Sequence, residues 1–253
     1  MKPDGRLEGD PAALEALAAD GVRTVAEALA RAECVRDLPG RSNHVLSAGG
    51  LVLHVKRTKS RRPSAEAAAI RRAGEAGVPV PRIAFEGVDP KLGAVVATYD
   101  LAPARPLDDL LAEGALSPEA ARAALLALAR AAAALHGARL HHHDLYLNHV
   151  WADPAAPAPS VTVMDLERLS RGHGVLGRAV VKDLAAVEAS VPAGVVSCKE
   201  RARLLAAYLE ARGFPARLLL GPLLHRVVKK AAAIRRHVPR TPVGEAARPR
   251  IPR

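Results

Sequence analysis

The chain has 253 residues and a formal net charge of +11, and hydrophobic residues make up 49% of it although aromatic residues make up only 2%. This length and apolar content exclude a disordered chain and allow one large domain or two modest lobes, each with a buried core. Much of the apolar content is alanine, which favours helices, so we expect a helix-rich protein.

Membrane spans, signal peptides and disulfides all lack sequence support. Arg122 and Arg130 interrupt the most apolar segment, so no uncharged run of about 18 residues is long enough for a span. The first residues, MKPDGRLEGD, lack the apolar stretch of a signal peptide. Cys34 and Cys198 are far apart and have no metal-binding spacing, so we expect two reduced thiols. These features predict a cytoplasmic protein.

Residues 1–100 predict a small antiparallel sheet with helices. Two short leading helices are predicted, one after Asp10-Pro11 and one at the capping box formed by Thr24 and Glu27. A further helix is expected from Ser64 to about Ala76. Five strands are predicted, the second and third joined by the turn Gly49-Gly50: CVRDLPG, SNHVLSA, LVLHVKR, RIAFEG and AVVATYD.

Residues 101–238 predict a mainly helical lobe. The expected helices are LDDLLAEG, a long helix from Ser117 to about His136, 183–190, 198–212 and about 216–237. Two short strands, around HVWA and SVTVM, flank the turn DPAAPAP. Residues 239–253 form a basic tail. Since 221–253 contain nine lysines and arginines against one acid, we expect an anionic partner.

The segment RLHHHDLYLNHVW, residues 139–151, contains four histidines around one aspartate. A dedicated zinc site is disfavoured, because zinc ligands on one segment are usually spaced, whereas the side chains of three adjacent histidines diverge. The alternative is a catalytic loop around Asp144. Lys56 at a strand end, Glu66 on the next helix and Asp165 at a later strand end complete, in order, the set needed for phosphoryl transfer from ATP.

Each of these residues also has a plainer interpretation. Lys56 would be an exposed strand-end lysine, and Glu66 a solvated residue favoured by the helix dipole. Glu75 is a weaker candidate than Glu66 to pair with Lys56, because it lies at the end of the helix. Asp165 would be a turn residue. The four residues together, in order and on suitable elements, favour the catalytic interpretation.

Six motifs carry a resemblance that covers roughly residues 40–213: LVLHVKR, SAEAAAIRRAGEAGVPVPRIAFEG, ATYDLAPARPLDDLL, HHHDLYLNHVW, VTVMDLERLSR and RAVVKDLAAVEASVP followed by ERARLLAAYLEARG. The sequence resembles the lipopolysaccharide kinases, bacterial enzymes that phosphorylate heptose or Kdo sugars of the lipopolysaccharide inner core. The resemblance implies an α+β, protein-kinase-like fold with two lobes, an N-lobe over residues 1–100 and a C-lobe over 101–238.

The resemblance also implies residue roles. Lys56 would contact the α and β phosphates of ATP, and Glu66 would pair with Lys56. Asp144 would be the catalytic aspartate and Asp165 the Mg²⁺ ligand. His142 would brace the loop, and Asp183 would support it from a helix start, a role compatible with a plain N-cap. The backbone from Tyr99 to Leu101 would face adenine.

Two positions depart from the general kinase pattern. The kinase template has asparagine five residues after the catalytic aspartate, but position 149 is histidine and Asn148 is one residue short. Mg²⁺ prefers oxygen ligands, so a metal role is open between His149 and Asn148. The glycine-rich loop is also reduced to Gly40, which leaves Ser42 and Asn43 as the expected phosphate contacts.

The sequence therefore predicts an ATP- and Mg²⁺-dependent kinase for a heptose or Kdo hydroxyl. A small-molecule or protein kinase of the same fold, and a catalytically silent kinase-like scaffold, are the alternatives. The helix over residues 220–238 is amphipathic and basic, so it would dock on the C-lobe, contact an anionic membrane surface, or do both. We expect a monomer, peripheral to the inner membrane, with no specific nucleic-acid binding because aromatic interleaving is lacking.

Overall fold

The structure is a computed structural model that describes residues 4–156, 160–172, 174 and 176–237. The predicted basic tail, 239–253, lies outside the described residues. The chain divides into two compact units. Among the described residues, the first unit comprises 4–70 and 81–100, and the second comprises 71–80 and the residues from 101 to 237.

An antiparallel sheet forms the centre of the first unit, with its strands in the order β1-β5-β6-β4-β3-β2. The strands are β1 (Leu7–Gly9), β2 (Glu33–Leu38), β3 (Arg41–Ala48), β4 (Leu51–Thr58), β5 (Ile83–Asp89) and β6 (Gly93–Tyr99). Gly49 and Gly50 turn the β3–β4 hairpin with φ of 59° and 72°, backbone angles that favour glycine. The sheet has six strands where five were predicted. The additional strand, β1, has three residues and is too short to show an alternating pattern.

Two helices cover one face of this sheet. Asp10 caps α1 (Pro11–Ala19), and Thr24 and Glu27 form the predicted capping box of α2 (Val25–Arg31). Their buried side chains share one hydrophobic core with the sheet: Ala13, Leu17, Val25, Ala28, Leu46, Leu53, Val55, Phe85, Val95 and Ala97. A third helix, α3 (Ala65–Glu75), begins after Ser64, whose hydroxyl accepts the Ala67 N–H.

The second unit is mainly helical. Its helices are α4 (Leu107–Ala112), α5 (Pro118–Gly137), α6 (Arg178–Ser190), α7 (Cys198–Ala211) and α8 (Ala216–His237). Its short strands are β7 (Arg105–Pro106), β8 (Leu140–His141), β9 (Val150–Ala152), β10 (Val161–Val163) and β11 (Ser170–Arg171). They form a three-stranded sheet, β10-β9-β7, and a two-stranded sheet, β11-β8. No helix in the described part of the chain is long and apolar enough to cross a membrane.

The predicted start of the helix at Asp183 was wrong. α6 begins at Arg178, after Gly177, so Asp183 lies inside the helix rather than at its N-cap. Its side chain is fully buried, and its carboxylate accepts hydrogen bonds from another segment of the chain, described below. The other predicted helices begin and end within about two residues of the predicted positions.

Candidate active site

In the first unit, Lys56 and Glu66 form the predicted ion pair. Lys56 lies near the end of β4 and Glu66 in the first turn of α3, and Lys56 Nζ is 2.7 Å from Glu66 Oε1. The Glu66 side chain is 11% exposed and that of Lys56 33%, so the carboxylate is buried while the ammonium reaches solvent. The pairing therefore leaves a fixed cation at the surface of the sheet.

Strand register distinguishes the two predicted phosphate contacts. Asn43 on β3 lies directly opposite Lys56 on β4, so both side chains point to the same face of the sheet. Ser42 points to the opposite face because side chains alternate along a strand. Its hydroxyl is buried and lies 2.8 Å from His44 Nε2. The Ser42 hydroxyl thus has a partner within the protein, and its contact with phosphate stays a prediction.

Most of the polar groups of the predicted adenine-facing segment have partners within the protein. The Tyr99 N–H donates to the Arg82 carbonyl, and the Tyr99 hydroxyl donates to Asp10 Oδ2 at 2.8 Å. Arg82 also stacks on the Tyr99 ring, 4.6 Å from its centre. The Leu101 carbonyl accepts the Ala104 N–H at 2.8 Å. The Tyr99 side chain is thus committed to the fold, and only backbone groups of this segment are left for a base.

In the second unit, Asp183 fixes the catalytic loop, defined here as residues 140–149. The carboxylate of Asp183 accepts the backbone N–H groups of His142 and His143, each at 2.8 Å, and lies 3.2 Å from His136 Nε2. His143 has φ 69°, a strained conformation for a residue with a side chain. The two hydrogen bonds to Asp183 hold the loop in this conformation immediately before Asp144.

A buried relay extends this support to α7. Arg212 Nη1 donates to the Tyr208 hydroxyl at 3.0 Å, which lies 3.0 Å from His136 Nδ1. Burial raises the pKa of Tyr208 to about 12, so its hydroxyl keeps its proton and can donate to His136. The pKa of Asp183 lies below its usual value. Burial alone would raise it, but hydrogen bonding and charge attraction from His136 outweigh burial. Asp183 is therefore ionised at neutral pH.

The loop is also bound along its length to residues 164–171. The Met164 N–H donates to the His149 carbonyl at 2.7 Å, and His142 Nε2 lies 2.9 Å from the Met164 carbonyl. His143 Nε2 lies 2.7 Å from the Ser170 hydroxyl. Since a carbonyl only accepts, His142 Nε2 carries the proton, and Nδ1 accepts the Asp144 N–H at 3.3 Å. His142 therefore braces the loop as a neutral ring, and burial lowers its pKa accordingly.

These contacts also count against a zinc site at the three adjacent histidines. His141 is buried in β8, while His142 and His143 face Met164 and Ser170 respectively. The rings of His142 and His143 therefore have different partners.

His149, rather than Asn148, approaches the predicted metal ligand. His149 Nδ1 donates to the Asp144 carbonyl at 2.8 Å, which leaves Nε2 of a neutral ring with a lone pair. That nitrogen lies 3.6 Å from Asp165 Oδ2, whereas the Asn148 side chain is exposed. Asp165 has a left-handed backbone with φ 54° at the start of the short 3₁₀ helix Leu166–Arg168. Carboxylate and imidazole together fit a divalent cation that retains several water ligands.

Sequence reasoning missed Arg168. Its Nη1 atom lies 2.7 Å from Asp144 Oδ2, so the guanidinium contacts the predicted catalytic carboxylate directly. The only sequence signal was its position three residues after Asp165. In one short segment, residues 165–168, the chain thus presents a carboxylate beside His149 and a cation beside Asp144.

Comparisons with known proteins agree with this geometry. The profile described as "Lipopolysaccharide kinase (Kdo/WaaP) family" matches residues 46–208, a range that includes Lys56, Asp144 and Asp165. Among solved structures, one titled "WaaP in complex with acyl carrier protein" is similar with a TM-score of 0.71 and 26% identity, covering 90% of this chain and 99% of that chain. No curated protein matches in a sequence search. The predicted family resemblance and protein-kinase-like fold are confirmed.

Proposed function

The chain belongs to the lipopolysaccharide kinase (Kdo/WaaP) family and is a kinase, and we propose that it transfers the γ-phosphate of ATP to a heptose or Kdo hydroxyl of the lipopolysaccharide inner core. The observation that carries this proposal is the fixed catalytic loop. Buried Asp183 holds the backbone before Asp144, and residues 164–171 are bound alongside it. Such preorganisation is the main contribution that a protein makes to phosphoryl transfer.

Lys56 is the proposed ligand of the α and β phosphates. Glu66 Oε1 accepts a hydrogen bond from its ammonium group at 2.7 Å, which restricts a flexible side chain and fixes the position of its charge. Asn43, which faces the same side of the sheet, is the proposed polar contact from the β2–β3 hairpin. Backbone groups of Tyr99 and Leu101 are the proposed contacts for adenine.

Asp144 is the proposed catalytic aspartate, which accepts the proton of the acceptor hydroxyl or orients that hydroxyl. Asp165 and His149 are the proposed metal ligands. Mg²⁺ held by these two residues would supply positive charge to the phosphate groups. Mg²⁺ usually takes one or two protein carboxylates and several waters, and Asp165 supplies one such carboxylate. The imidazole of His149 suits Mn²⁺ at least as well.

The acceptor is tested by a transfer assay with a panel of acceptors. We would incubate the protein and Asp144→Asn with γ-labelled ATP and with Kdo-terminated glycolipid, heptose-extended core glycolipid, choline or an aminoglycoside. Label in one glycolipid, much weaker with the variant, supports the proposal and identifies the sugar. Label only in the small soluble acceptors would support a small-molecule kinase instead. No label in any acceptor, with ATP still bound, would contradict the proposal.

We further propose that α8 places the enzyme at an anionic membrane surface on the cytoplasmic face. Leu223, Val227 and Ala231, spaced by four residues, are buried and dock the helix. The outward side carries exposed Lys229 and Arg236, together with apolar side chains such as Leu218, which is 64% exposed. This arrangement of cations beside apolar groups suits binding to anionic lipid. The helix thus serves both roles left open by its sequence.

Vesicle co-sedimentation tests this surface. We expect the protein to bind vesicles with anionic lipid, to bind neutral vesicles weakly, and to be released by salt. Since each lysine near a membrane contributes about 1 kcal/mol, Lys229→Ala should weaken binding roughly fivefold. Lys199→Ala, an exposed lysine on α7, is the matched control. Equal binding by both variants would contradict the membrane role. Light scattering on the same samples checks the predicted monomer.

A protein partner is a further possibility to test. The similar WaaP structure contains acyl carrier protein, so acyl carrier protein should be included in a pull-down with this chain. Co-elution at equal stoichiometry would support such a partner, and complete separation on a sizing column would count against it.

A further inference from the structure

Arg168 is the one side chain that binds the carboxylate of Asp144 in the described part of the chain. The backbone of Asp144 has its own partners: its N–H donates to His142 Nδ1, and its carbonyl accepts from Tyr146 and His149. Its Oδ2 atom accepts from Arg168 Nη1 at 2.7 Å, whereas Oδ1 has no hydrogen bond among the described residues. The two carboxylate oxygens are therefore inequivalent, one bound and the other available.

The fold holds Arg168 in this position. It is the last residue of the short 3₁₀ helix Leu166–Arg168, which Leu166 anchors with a fully buried side chain. Asp165, just before this helix, has a left-handed backbone with φ 54°. Met164 bonds to His149 at the same point. The backbone of Arg168 is thus fixed relative to the catalytic loop at several points.

Stability does not account for this pair. The Arg168 side chain is 57% exposed and that of Asp144 26% exposed. Exposed ion pairs contribute about 0–1 kcal/mol, because water screens the charges and ordering long side chains costs entropy. Removing Arg168 should therefore barely change the stability of the fold. Its contact with the residue at the centre of the proposed chemistry requires a different explanation.

The catalytic loop has no lysine or arginine of its own, since residues 140–149 read LHHHDLYLNH. Transfer of a phosphoryl group with its negative charge nevertheless depends on precisely oriented groups and nearby cations. Arg168 brings a permanent cation to the loop from the neighbouring segment. A guanidinium suits this role because it stays charged and binds carboxylates with a defined planar geometry.

We propose that Arg168 is a positioning residue for the transfer step, a proposal that rests on the function proposed above. By binding Oδ2, Arg168 directs Oδ1 of Asp144 toward the acceptor hydroxyl. The hydroxyl oxygen forms a bond to the γ-phosphorus, while its proton moves to Oδ1. The bond from the γ-phosphorus to the β–γ bridging oxygen breaks, and ADP leaves with that electron pair.

Kinetics of three variants test the proposal: Arg168→Ala, Arg168→Lys and the control Arg105→Ala. Arg105 forms a comparable exposed pair with Glu113 at 2.8 Å in the same unit. We expect Arg168→Ala to lower kcat roughly 100-fold or more, since small misplacements of catalytic groups have effects of this size. KM for ATP should change less than about threefold, since Arg168 acts on Asp144 and not on the nucleotide. Arg168→Lys should retain part of kcat, and Arg105→Ala nearly all of it.

A double-mutant cycle separates positioning from a structural role. Because Arg168 acts through Asp144, adding Arg168→Ala to Asp144→Asn should cause almost no further loss of kcat. An independent, additive loss would overturn the proposal, as would a wild-type kcat for Arg168→Ala. Absence of transfer by the wild-type protein would overturn the proposed function and this inference together. Transfer at equal rates by the wild-type protein and Arg168→Ala would overturn the inference alone.

Discussion

Replacing Asp183 by asparagine should destabilise the second unit and slow catalysis, although this residue lies outside the reacting centre. The carboxylate accepts two backbone N–H groups of the catalytic loop at 2.8 Å and lies 3.2 Å from His136 Nε2. Asparagine has one acceptor oxygen, so its amide NH₂ must face at least one donor. A buried donor left without a partner costs about 1–3 kcal/mol.

The expected loss for Asp183→Asn is therefore about 2 kcal/mol. For a protein of this size that corresponds to a fall in Tm of roughly 4–8 °C. Asp183→Ala removes all three contacts and should cost about 3–5 kcal/mol, because several buried donors lose their acceptor. We further expect kcat of Asp183→Asn to fall roughly 100-fold, because the strained backbone at His143 would relax and displace Asp144.

Thermal unfolding and the transfer assay on the same preparations check this prediction. The control is Asp153→Asn, since Asp153 accepts one backbone N–H in an exposed turn, and it should shift Tm by no more than about 2 °C. A wild-type Tm and kcat for Asp183→Asn would refute the reasoning. Lower Tm with unchanged kcat would show that Asp183 supports the fold without positioning Asp144.

Three further predictions concern other contacts of the two units. Glu66→Gln should weaken ATP binding roughly tenfold, because the charge-assisted hydrogen bond to Lys56 is lost. The control Glu75→Gln, at the end of α3, should leave the Kd for ATP unchanged. Calorimetry measures both Kd values. His149→Ala should weaken Mn²⁺ binding about 10-fold or more in a paramagnetic resonance titration, with Asn148→Ala as the unchanged control; equal affinities would contradict a metal role for His149. His142 is buried, and its pKa in the folded state is lowered. Below about pH 6.5 the unfolded state therefore binds more protons than the folded state. The free energy of unfolding should fall on acidification from that point by up to about 1.4 kcal/mol per pH unit. His142→Gln should flatten this part of the Tm–pH profile, and an unchanged slope would contradict the assignment.

The Lys56–Glu66 pair and the loop around Asp144 could both be predicted from the sequence. Lys56 ends a strand with a clear alternating pattern, and Glu66 follows in the first turn of a capped helix, ten residues later. The distance between them depends only on adjacent elements, and the structure brings them to 2.7 Å. The loop around Asp144 was recognised because it follows Lys56 and Glu66 and precedes Asp165, the order typical of phosphoryl transfer from ATP.

Other features depend on contacts that sequence patterns do not encode. Asp183 looked like an N-cap, but its partners are backbone groups about 40 residues earlier in the chain. Strand β1 exists only because it pairs with β5. Ser42 was predicted at the start of a strand, but the direction of its hydroxyl, toward His44, depends on the register of β3 against β4. Arg168 was overlooked because its importance comes from a contact across 24 residues.

The resulting picture of the second unit is a catalytic loop fixed on two sides. Asp183 binds its backbone from α6, and the segment after β10 binds its side chains through Met164, Ser170 and Arg168. These contacts determine the conformation of the loop before any substrate binds. The proposed chemistry of Asp144 therefore depends on residues other than those proposed to contact ATP.

The most direct test of the central claim compares the wild-type protein with Asp144→Asn, in ATP binding and in phosphate transfer to core glycolipid, on the same samples. We expect both proteins to bind Mg²⁺–ATP with equal affinity and only the wild-type protein to transfer phosphate at an appreciable rate. Transfer by Asp144→Asn at the wild-type rate would contradict the assignment of Asp144 as the catalytic aspartate.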